Sequence, residues 1–400
     1  MLNNKKILLG ITGGIALYKS CEVIRLLKKE GARIKVVLST GAEQFATPVL
    51  FSALSGEKTY TNKDFFSAEG DIPHIELANW ADLILILPAT ASFLSKLRAG
   101  QASELLLSLL LATRAPVYLF PSMNTQMLYH PATQENINVL RSYGYFIYEP
   151  SQGELACGEI GKGRLPEPEE ILEVAKAHFT PKTFLGKKVL ITGGPTREYL
   201  DDVRFITNAS SGKTAFLLTK EAYYRGAKVY LLWGKETLPY VLPKLHTFSS
   251  IPHPEIHYTL TTQAMYEKAL ELFPEVDIAI FAGAPCDFRA KTKISGKIKK
   301  KEGLTLDLEL TPDIAKALSE IKKKQITVGF ALEERSKLLE YAQIKMIEKK
   351  FDLLVANPIE TPGKAFSDYL ILGPNLVEEL KDLSKEELSK RIYDLISTLF

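Results

Sequence analysis

The sequence predicts an α/β protein built from two doubly wound, Rossmann-like halves. The tetrapeptide ITGG occurs twice, at Ile11 and Ile191, each time closing a short apolar run that opens with paired lysines (Lys5-Lys6 and Lys187-Lys188). Each copy precedes a helix-compatible stretch, then a Gly-Ala pair (Gly31-Ala32, Gly226-Ala227), then a second apolar run (34–38, 229–232). Apolar run, glycines, helix, turn, apolar run is the opening of a βαβ unit. Its recurrence predicts two such domains, and a length of 400 residues agrees, because a typical domain has about 150.

Along the first half, further strands are predicted at 83–87, 117–120 and 145–147, where short apolar runs are bounded by turn residues. Between them, helical patterns fall at 94–97, 105–112 and 133–143. Strands alternating with helices imply a parallel, doubly wound sheet. In the second half, strands are predicted at 189–191, 229–232, 278–281, 327–330 and 353–356, and helices at 214–225, 264–272, 314–321 and 337–349. The boundary falls within 164–186: PEPEE from Pro166 opens a helix with proline and acids in its first turn, and TPKTFLG follows as a linker. The expected domains are therefore 1–180 and 186–400. Alternation in LTLDLEL predicts a charged hairpin over 297–310, inserted in the second domain.

Composition narrows the function classes. Fifty basic residues against 47 acidic ones net +3 without a basic tail, which argues against a nucleic-acid backbone binder. The longest apolar runs, 105–112 and 83–87, fall well short of the roughly 18 residues that a membrane span needs. No signal-peptide pattern opens the sequence, so a soluble cytoplasmic protein is expected. Three widely spaced cysteines, Cys21, Cys157 and Cys286, suggest neither a disulfide framework nor a cysteine zinc site.

In open α/β sheets ligands bind beyond the carboxyl ends of the strands. In the first half those positions are 10–16, 39–40, 88–92 and 121–127, which are small, hydroxylated or amide-bearing. Backbone amides and hydroxyls at a helix start suit a phosphate, favouring a mononucleotide cofactor, although a tight strand-to-helix turn accounts for the glycines equally well. In the second half Gly212-Lys213-Thr214 resembles the end of a P-loop, but Thr207 stands where that motif needs glycine, and no strand directly precedes it. The cluster NASSG from Asn208 reads either as an anion or amide site or as an N-cap supplied by Ser210 or Ser211.

Several longer motifs then become specific together. They are GITGGIALYKS from Gly10, PHIEL from Pro73, PATA from Pro88, PSMNTQM from Pro121 and ACGEIGKGRL from Ala156. The second half adds TGGPTREYLDDVRFITNASSGK from Thr192, DFR from Asp287, KIKKK from Lys297, PDI from Pro312, VGFALE from Val328 and VANP from Val355. With these the chain resembles, over nearly its whole length, the bifunctional coenzyme A biosynthesis family, in which a phosphopantothenoylcysteine decarboxylase is fused to a phosphopantothenate–cysteine ligase.

The resemblance implies that the first half binds FMN at Gly13, Gly14, Ile15, Ser39, Ala89, Thr90, Ser92 and Met123 and decarboxylates 4'-phosphopantothenoylcysteine. Loss of CO2 needs an electron sink, which two-electron oxidation at the thiol side supplies. His74 is implied as the base, Asn124 as the amide that fixes the substrate and Cys157, in a glycine-rich flap at 153–163, as the proton donor. On residue type alone, a histidine in this setting is more often structural, and Asn124 reads as a turn or cap residue.

The second half is implied to join 4'-phosphopantothenate to L-cysteine through an acyl-cytidylate, using CTP with Mg2+, because a carboxylate has no adequate leaving group until CMP provides one. Implied nucleotide positions are Ala282, Gly283, Asp287, Lys297, Pro312, Asp313, Ile314, Phe330, Lys345 and Lys349. Lys297 is implied to stabilise the phosphate transition state and Asn208 to handle the acyl intermediate. Without the motif, the basic run at Lys297 reads as a solvated loop. The metal ligands are unknown, and homo-oligomers are implied, with trimeric decarboxylase halves, dimeric ligase halves and assemblies up to a dodecamer.

Four segments depart from the family pattern. PATAN reads PATAS at Ser92, the run before Asp287 reads AGAPCD, NPDI reads TPDI at Thr311, and a late Ser-Asp-x-Asn loop reads AFSDYLI. Cys286, beside the nucleotide positions, becomes a candidate redox-sensitive thiol. Two competing readings remain: another enzyme of the flavoprotein superfamily, which would account for the first half only, and a regulatory flavin-binding module without turnover.

Overall fold

A computed structural model describes residues 2–400 apart from 67–69, Cys157, Phe248, 300–303 and Pro362. The chain divides into two compact units, Met1–Thr180 with Leu242–Ser250, and Pro181–Val241 with Ile251–Phe400. Two contiguous halves do not anticipate the short segment Leu242–Ser250, which packs on the first unit: the Lys244 amide donates to the Tyr148 hydroxyl at 2.7 Å.

In the first unit, strands β1 (Lys6–Ile11), β2 (Arg33–Leu38), β3 (Thr59–Tyr60), β4 (Leu83–Ala89), β5 (Val117–Pro121) and β6 (Phe146–Ile147) form a parallel sheet. Their order is β3-β2-β1-β4-β5-β6, the doubly wound dinucleotide-fold order. Strand side chains alternate between faces, and both faces are covered. Ile7, Leu9, Leu83 and Leu85 pack under helices α1 (Tyr18–Lys29), α2 (Pro48–Ser55) and α8 (Pro168–Phe179). Leu8, Ile84 and Ile86 pack under α3 (Pro73–Trp80), α4 (Ala91–Arg98), α5 (Leu105–Ala112), α6 (Thr125–Tyr129) and α7 (Pro131–Ser142). Double coverage explains why LILILPA in β4 is apolar without alternation and wholly buried. A small antiparallel hairpin, β7 (Ser151–Glu154) and β8 (Ile160–Arg164), follows β6.

The second unit repeats the order. Strands β9 (Lys188–Gly193), β10 (Arg197–Tyr199), β11 (Phe205–Thr207), β12 (Lys228–Trp233), β13 (Glu255–Tyr258), β14 (Ile278–Phe281), β15 (Phe288–Ala290) and β16 (Leu308–Leu310) come first. They are followed by β17 (Ile326–Glu333), β18 (Leu353–Pro358), β19 (Phe366–Gly373) and β20 (Leu376–Ser384). The main sheet runs β13-β12-β9-β14-β17-β18-β19-β20. It is parallel through β18 and antiparallel across β19 and β20, hence mixed. One face packs on α10 (Thr262–Leu272) and α11 (Ile314–Ile321), with α12 (Leu338–Glu348) over β17 and β18. The remaining helices, α9 (Lys213–Tyr224) and α13 (Lys385–Ser397), are tied by Arg225, which donates to Glu221 and to Asp394 at 2.7 Å each.

Two local expectations need correction. The hairpin expected over 297–310 has its first strand upstream: β16 pairs with β15 in the register Phe288↔Leu310 and Ala290↔Leu308. Opposite charges face across the pair, Arg289 to Glu309 at 2.8 Å and Lys291 to Asp307 at 3.1 Å, which favours this partner. Neither Ser210 nor Ser211 is the N-cap of α9; Gly212 is, and each serine hydroxyl accepts the amide two residues on, as in a turn.

Candidate active sites

The threonine of each ITGG repeat ties the first strand of its sheet to the loop after the fourth. Thr12 Oγ1 donates to the Pro88 carbonyl at 2.7 Å and accepts from the Thr90 amide at 3.2 Å. Thr192 Oγ1 accepts from the Gly283 amide at 3.2 Å. In both sheets these are the neighbouring strands at which the winding reverses, where a crevice opens for ligands. A cavity lies at each.

The first cavity, about 750 Å³, is lined by Gly13, Gly14, Ile15, Thr90, Ser92, Met123 and Asn124 of the expected set. Ser39 and Ala89 are buried behind it, and the Ser39 hydroxyl accepts the Ala42 amide. His74, second residue of α3, does not line the cavity; its ring meets Phe65 edge-on at 5.6 Å, and its Nδ1 is buried without a hydrogen-bond partner. Asn124 is fixed at both ends. Its Oδ1 accepts the Gln126 amide at 2.8 Å, capping α6, and its Nδ2 donates to Glu159 at 2.9 Å.

Glu159 belongs to the turn of the β7–β8 hairpin, which closes the cavity with Leu155, Ala156 and Gly163. Gly163 has φ +147°, and a Cβ there would lie 2.1 Å from the Met123 carbonyl, so only glycine lets the hairpin seat on the PSMN loop. Cys157 lies outside the described residues.

Tyr18, Lys19, Arg164 and Leu165 also line the cavity and fall outside the positions that sequence reading singled out. Lys19 is buried, donates to the Leu165 carbonyl at 3.0 Å and pairs with Glu167 at 3.0 Å. A lysine beside the apolar start of α1 was the available signal. Small polar groups with Ile15, Met123 and Met127 give a largely apolar pocket with a few hydrogen-bonding groups. That donor set fits a planar flavin carrying a phosphate.

The second cavity, about 390 Å³, gathers Gly283, Asp287, Pro312, Asp313, Ile314, Phe330, Lys345 and Lys349. Ala282 and Asn208 are not among its lining residues, nor is Lys297, which is exposed on its loop. Asn208 Nδ2 donates to the carbonyls of Ala284 at 3.3 Å and Pro285 at 2.9 Å, so the side chain braces the loop that carries the cavity wall. Lys349 pairs with Asp313 at 2.8 Å, and Lys345 approaches Glu333 at 3.8 Å. Burial works to raise the Asp313 pKa, but the Lys349 ammonium and the Lys316 amide outweigh it and hold the carboxyl below its usual range. Lys316, Phe281 and Phe351 also line the space and were not anticipated. Lysines beside phenylalanines suit a nucleotide, whose phosphates are anionic and whose base stacks.

The departures near this cavity have structural partners. Thr311 donates its hydroxyl to the Cys286 carbonyl at 2.5 Å, closing the loop that Asp287 begins. Cys286 is 3% exposed, and its thiol faces the Thr196 and Ile206 carbonyls at 3.6 and 3.5 Å. Burial pushes its pKa up, which keeps it a thiol and argues against a redox-sensitive role. Among the described residues no cluster of three or more His, Cys, Asp or Glu could hold a metal, and no helix is long and apolar enough to cross a membrane.

Both cavities fall within matched families. Residues 1–180 match the flavoprotein family, and residues 184–399 match the DNA/pantothenate metabolism flavoprotein C-terminal domain. The coenzyme A biosynthesis bifunctional protein CoaBC of Bacillus subtilis (strain 168) is 43% identical over 413 residues, covering 100% of this chain and 98% of the relative. The protein of that name from Escherichia coli (strain K12) is 39% identical over 372 residues, covering 92% and 89%. A crystal structure of the C-terminal domain of a CoaBC protein aligns at 32% identity and TM-score 0.46, covering 55% of this chain and 97% of that one. Carrying both halves in order, and aligned with such relatives over nearly their full length, the chain belongs to the family of coenzyme A biosynthesis bifunctional proteins.

Proposed function

We propose that this chain joins 4'-phosphopantothenate to L-cysteine at the expense of CTP in its second unit and decarboxylates the product to 4'-phosphopantetheine in its first. The observation that carries the reading is the presence, in one chain, of two separate switch-point cavities with different chemistry. One is largely apolar with hydroxyls, and its Lys19 and Arg164 both pair with Glu167; the other gathers three lysines and two aspartates around phenylalanines.

In the ligase step the substrate carboxylate attacks the α-phosphorus of CTP, pyrophosphate leaves, and the cysteine amine then displaces CMP from the acyl-cytidylate. Lys345 and Lys349 would bind the phosphates of CTP, which arrives as its Mg2+ complex, and Lys297 would stabilise the charge that builds during displacement. Asn208 has its amide nitrogen committed to two carbonyls, which leaves its oxygen as the acceptor for the incoming amine.

In the decarboxylase step FMN, when bound, supplies the two-electron sink that makes loss of CO2 feasible. Gly13, Gly14, Thr90 and Ser92 hold the cofactor. Asn124 orients the substrate carboxylate, and Cys157 provides a proton. His74 takes up a proton, a role supported by its unpartnered Nδ1 rather than by proximity to the cavity lining. The family habit of trimeric decarboxylase and dimeric ligase halves, in assemblies up to a dodecamer, is part of the proposal, as is a cytoplasmic location. Exposed Ile15 and Tyr18 at the cavity rim are consistent with such an interface.

The test separates the units. Synthetic 4'-phosphopantothenoylcysteine should release CO2 without CTP, and CTP with 4'-phosphopantothenate should release pyrophosphate without the flavin. Flavin bound with no CO2 release would favour the regulatory reading.

A further inference from the structure

The conspicuous sequence TREYLDDVR, residues 196–204, lies next to the nucleotide cavity but supplies none of its lining. Its hydrogen bonds run two ways. Four of them stitch residues 200–202 to residues 294–298, the loop that carries Lys297. The Ile294 amide donates to the Leu200 carbonyl at 3.0 Å, and the Asp202 amide donates to the Gly296 carbonyl at 3.1 Å. The Gly296 amide donates to Asp202 Oδ2 at 2.7 Å, and the Ile298 amide donates to Asp201 Oδ2 at 3.0 Å. The two carboxylates therefore grip the backbone on either side of Lys297. Gly296 has φ +76°, the turn that this grip requires.

Charge balance explains why the grip does not capture the lysine itself. Asp202 Oδ1 is paired with Lys293 at 2.8 Å, and Asp201 with Arg204 at 3.4 Å. Asp201 also accepts the amides of Val203 at 2.7 Å and Arg204 at 2.6 Å, so its position is set by its own turn. Both carboxylates are compensated by other cations. Among the described residues Lys297 has no ion-pair partner, and its ammonium is left for an external anion.

The same segment also holds the cavity wall. Thr196 Oγ1 accepts the Cys286 amide at 2.9 Å, and Thr192 Oγ1 accepts the Gly283 amide at 3.2 Å. One continuous stretch, residues 192–202, thus fixes the wall at its beginning and the lysine loop at its end. We infer that Asp201 and Asp202 are positioning residues for the ligase reaction, which set Lys297 relative to the nucleotide cavity by clamping the amides that flank it. The inference rests on the proposed role of Lys297 and goes beyond it, because neither aspartate lines the nucleotide cavity.

The test is a double-mutant cycle in the full-length protein. Asp201→Asn, Asp202→Ala and Lys297→Ala are made singly, and each aspartate variant is combined with Lys297→Ala. Ligation, decarboxylation of supplied 4'-phosphopantothenoylcysteine and hydrogen exchange are followed in each. Displacement of a catalytic group by about 1 Å costs up to a hundredfold, so each aspartate variant is expected to lose tenfold or more in ligation kcat. KM for 4'-phosphopantothenate should be unchanged, exchange should accelerate in residues 294–298, and decarboxylation should be unaffected. In the Lys297→Ala background the aspartate changes should cause no further loss, since they act through that side chain. Full ligation kcat in both aspartate variants beside an inactive Lys297→Ala, or losses that multiply in the double variants, overturns the inference alone. Undiminished ligation by Lys297→Ala overturns the role of Lys297 and the inference with it.

Discussion

At the scale of single residues, the threonine of each ITGG repeat does more than fill a turn. Thr12 and Thr192 occupy the same place in the two sheets, and each reaches from the first strand to the loop after the fourth. Thr12→Val keeps the shape but leaves the Pro88 carbonyl and Thr90 amide without their shared partner. An unmet buried polar group costs about 1–3 kcal/mol. We expect a lowered melting temperature and weaker flavin retention, both read by following flavin release during thermal unfolding, while ligation at ambient temperature is unchanged. Cys286 makes a second prediction at this scale. Its buried thiol, with a raised pKa, should resist iodoacetamide in the native protein and react after denaturation, as peptide mass spectrometry would show. Rapid native labelling with loss of ligation would restore the redox reading.

At the scale of elements, the sequence was legible where its periodicity was strong. Helices 105–112 and 314–321 and strand 278–281 match the observed α5, α11 and β14. Each is a local apolar pattern that its own burial enforces. Short pairings between distant residues were not legible, because nothing local specifies a partner. The β15–β16 register depends on Arg289 meeting Glu309 across an intervening loop, and β10–β11 on a turn that Asp201 organises. For the same reason the motif residues of both cavities stood out, while Lys19 and Lys316 emerged only when the chain was folded. The β7–β8 hairpin supplies the prediction at this scale. In Gly163→Ala the new Cβ meets the Met123 carbonyl, so the hairpin must lift from the PSMN loop. Decarboxylation of supplied substrate should fall by tenfold or more, in keeping with the cost of misplacing catalytic groups, while CTP-dependent pyrophosphate release is unchanged.

At the scale of the whole molecule, the same strand order has been used twice and turned to different chemistry. A crevice at the switch point follows from topology, whereas what it binds follows from the residues placed around it. The first unit surrounds its crevice mainly with hydroxyls and apolar side chains under a hairpin, with Lys19 and Arg164 held by Glu167. In the second, lysines, phenylalanines and a braced loop surround the corresponding space. The proposed function has these two sites working in succession on one chain. Purified protein incubated with 4'-phosphopantothenate, L-cysteine, CTP and Mg2+, followed by mass spectrometry of the products, tests it most directly. 4'-Phosphopantetheine is the expected product, with 4'-phosphopantothenoylcysteine as a transient. Absence of both products, from protein that retains its flavin, would contradict it.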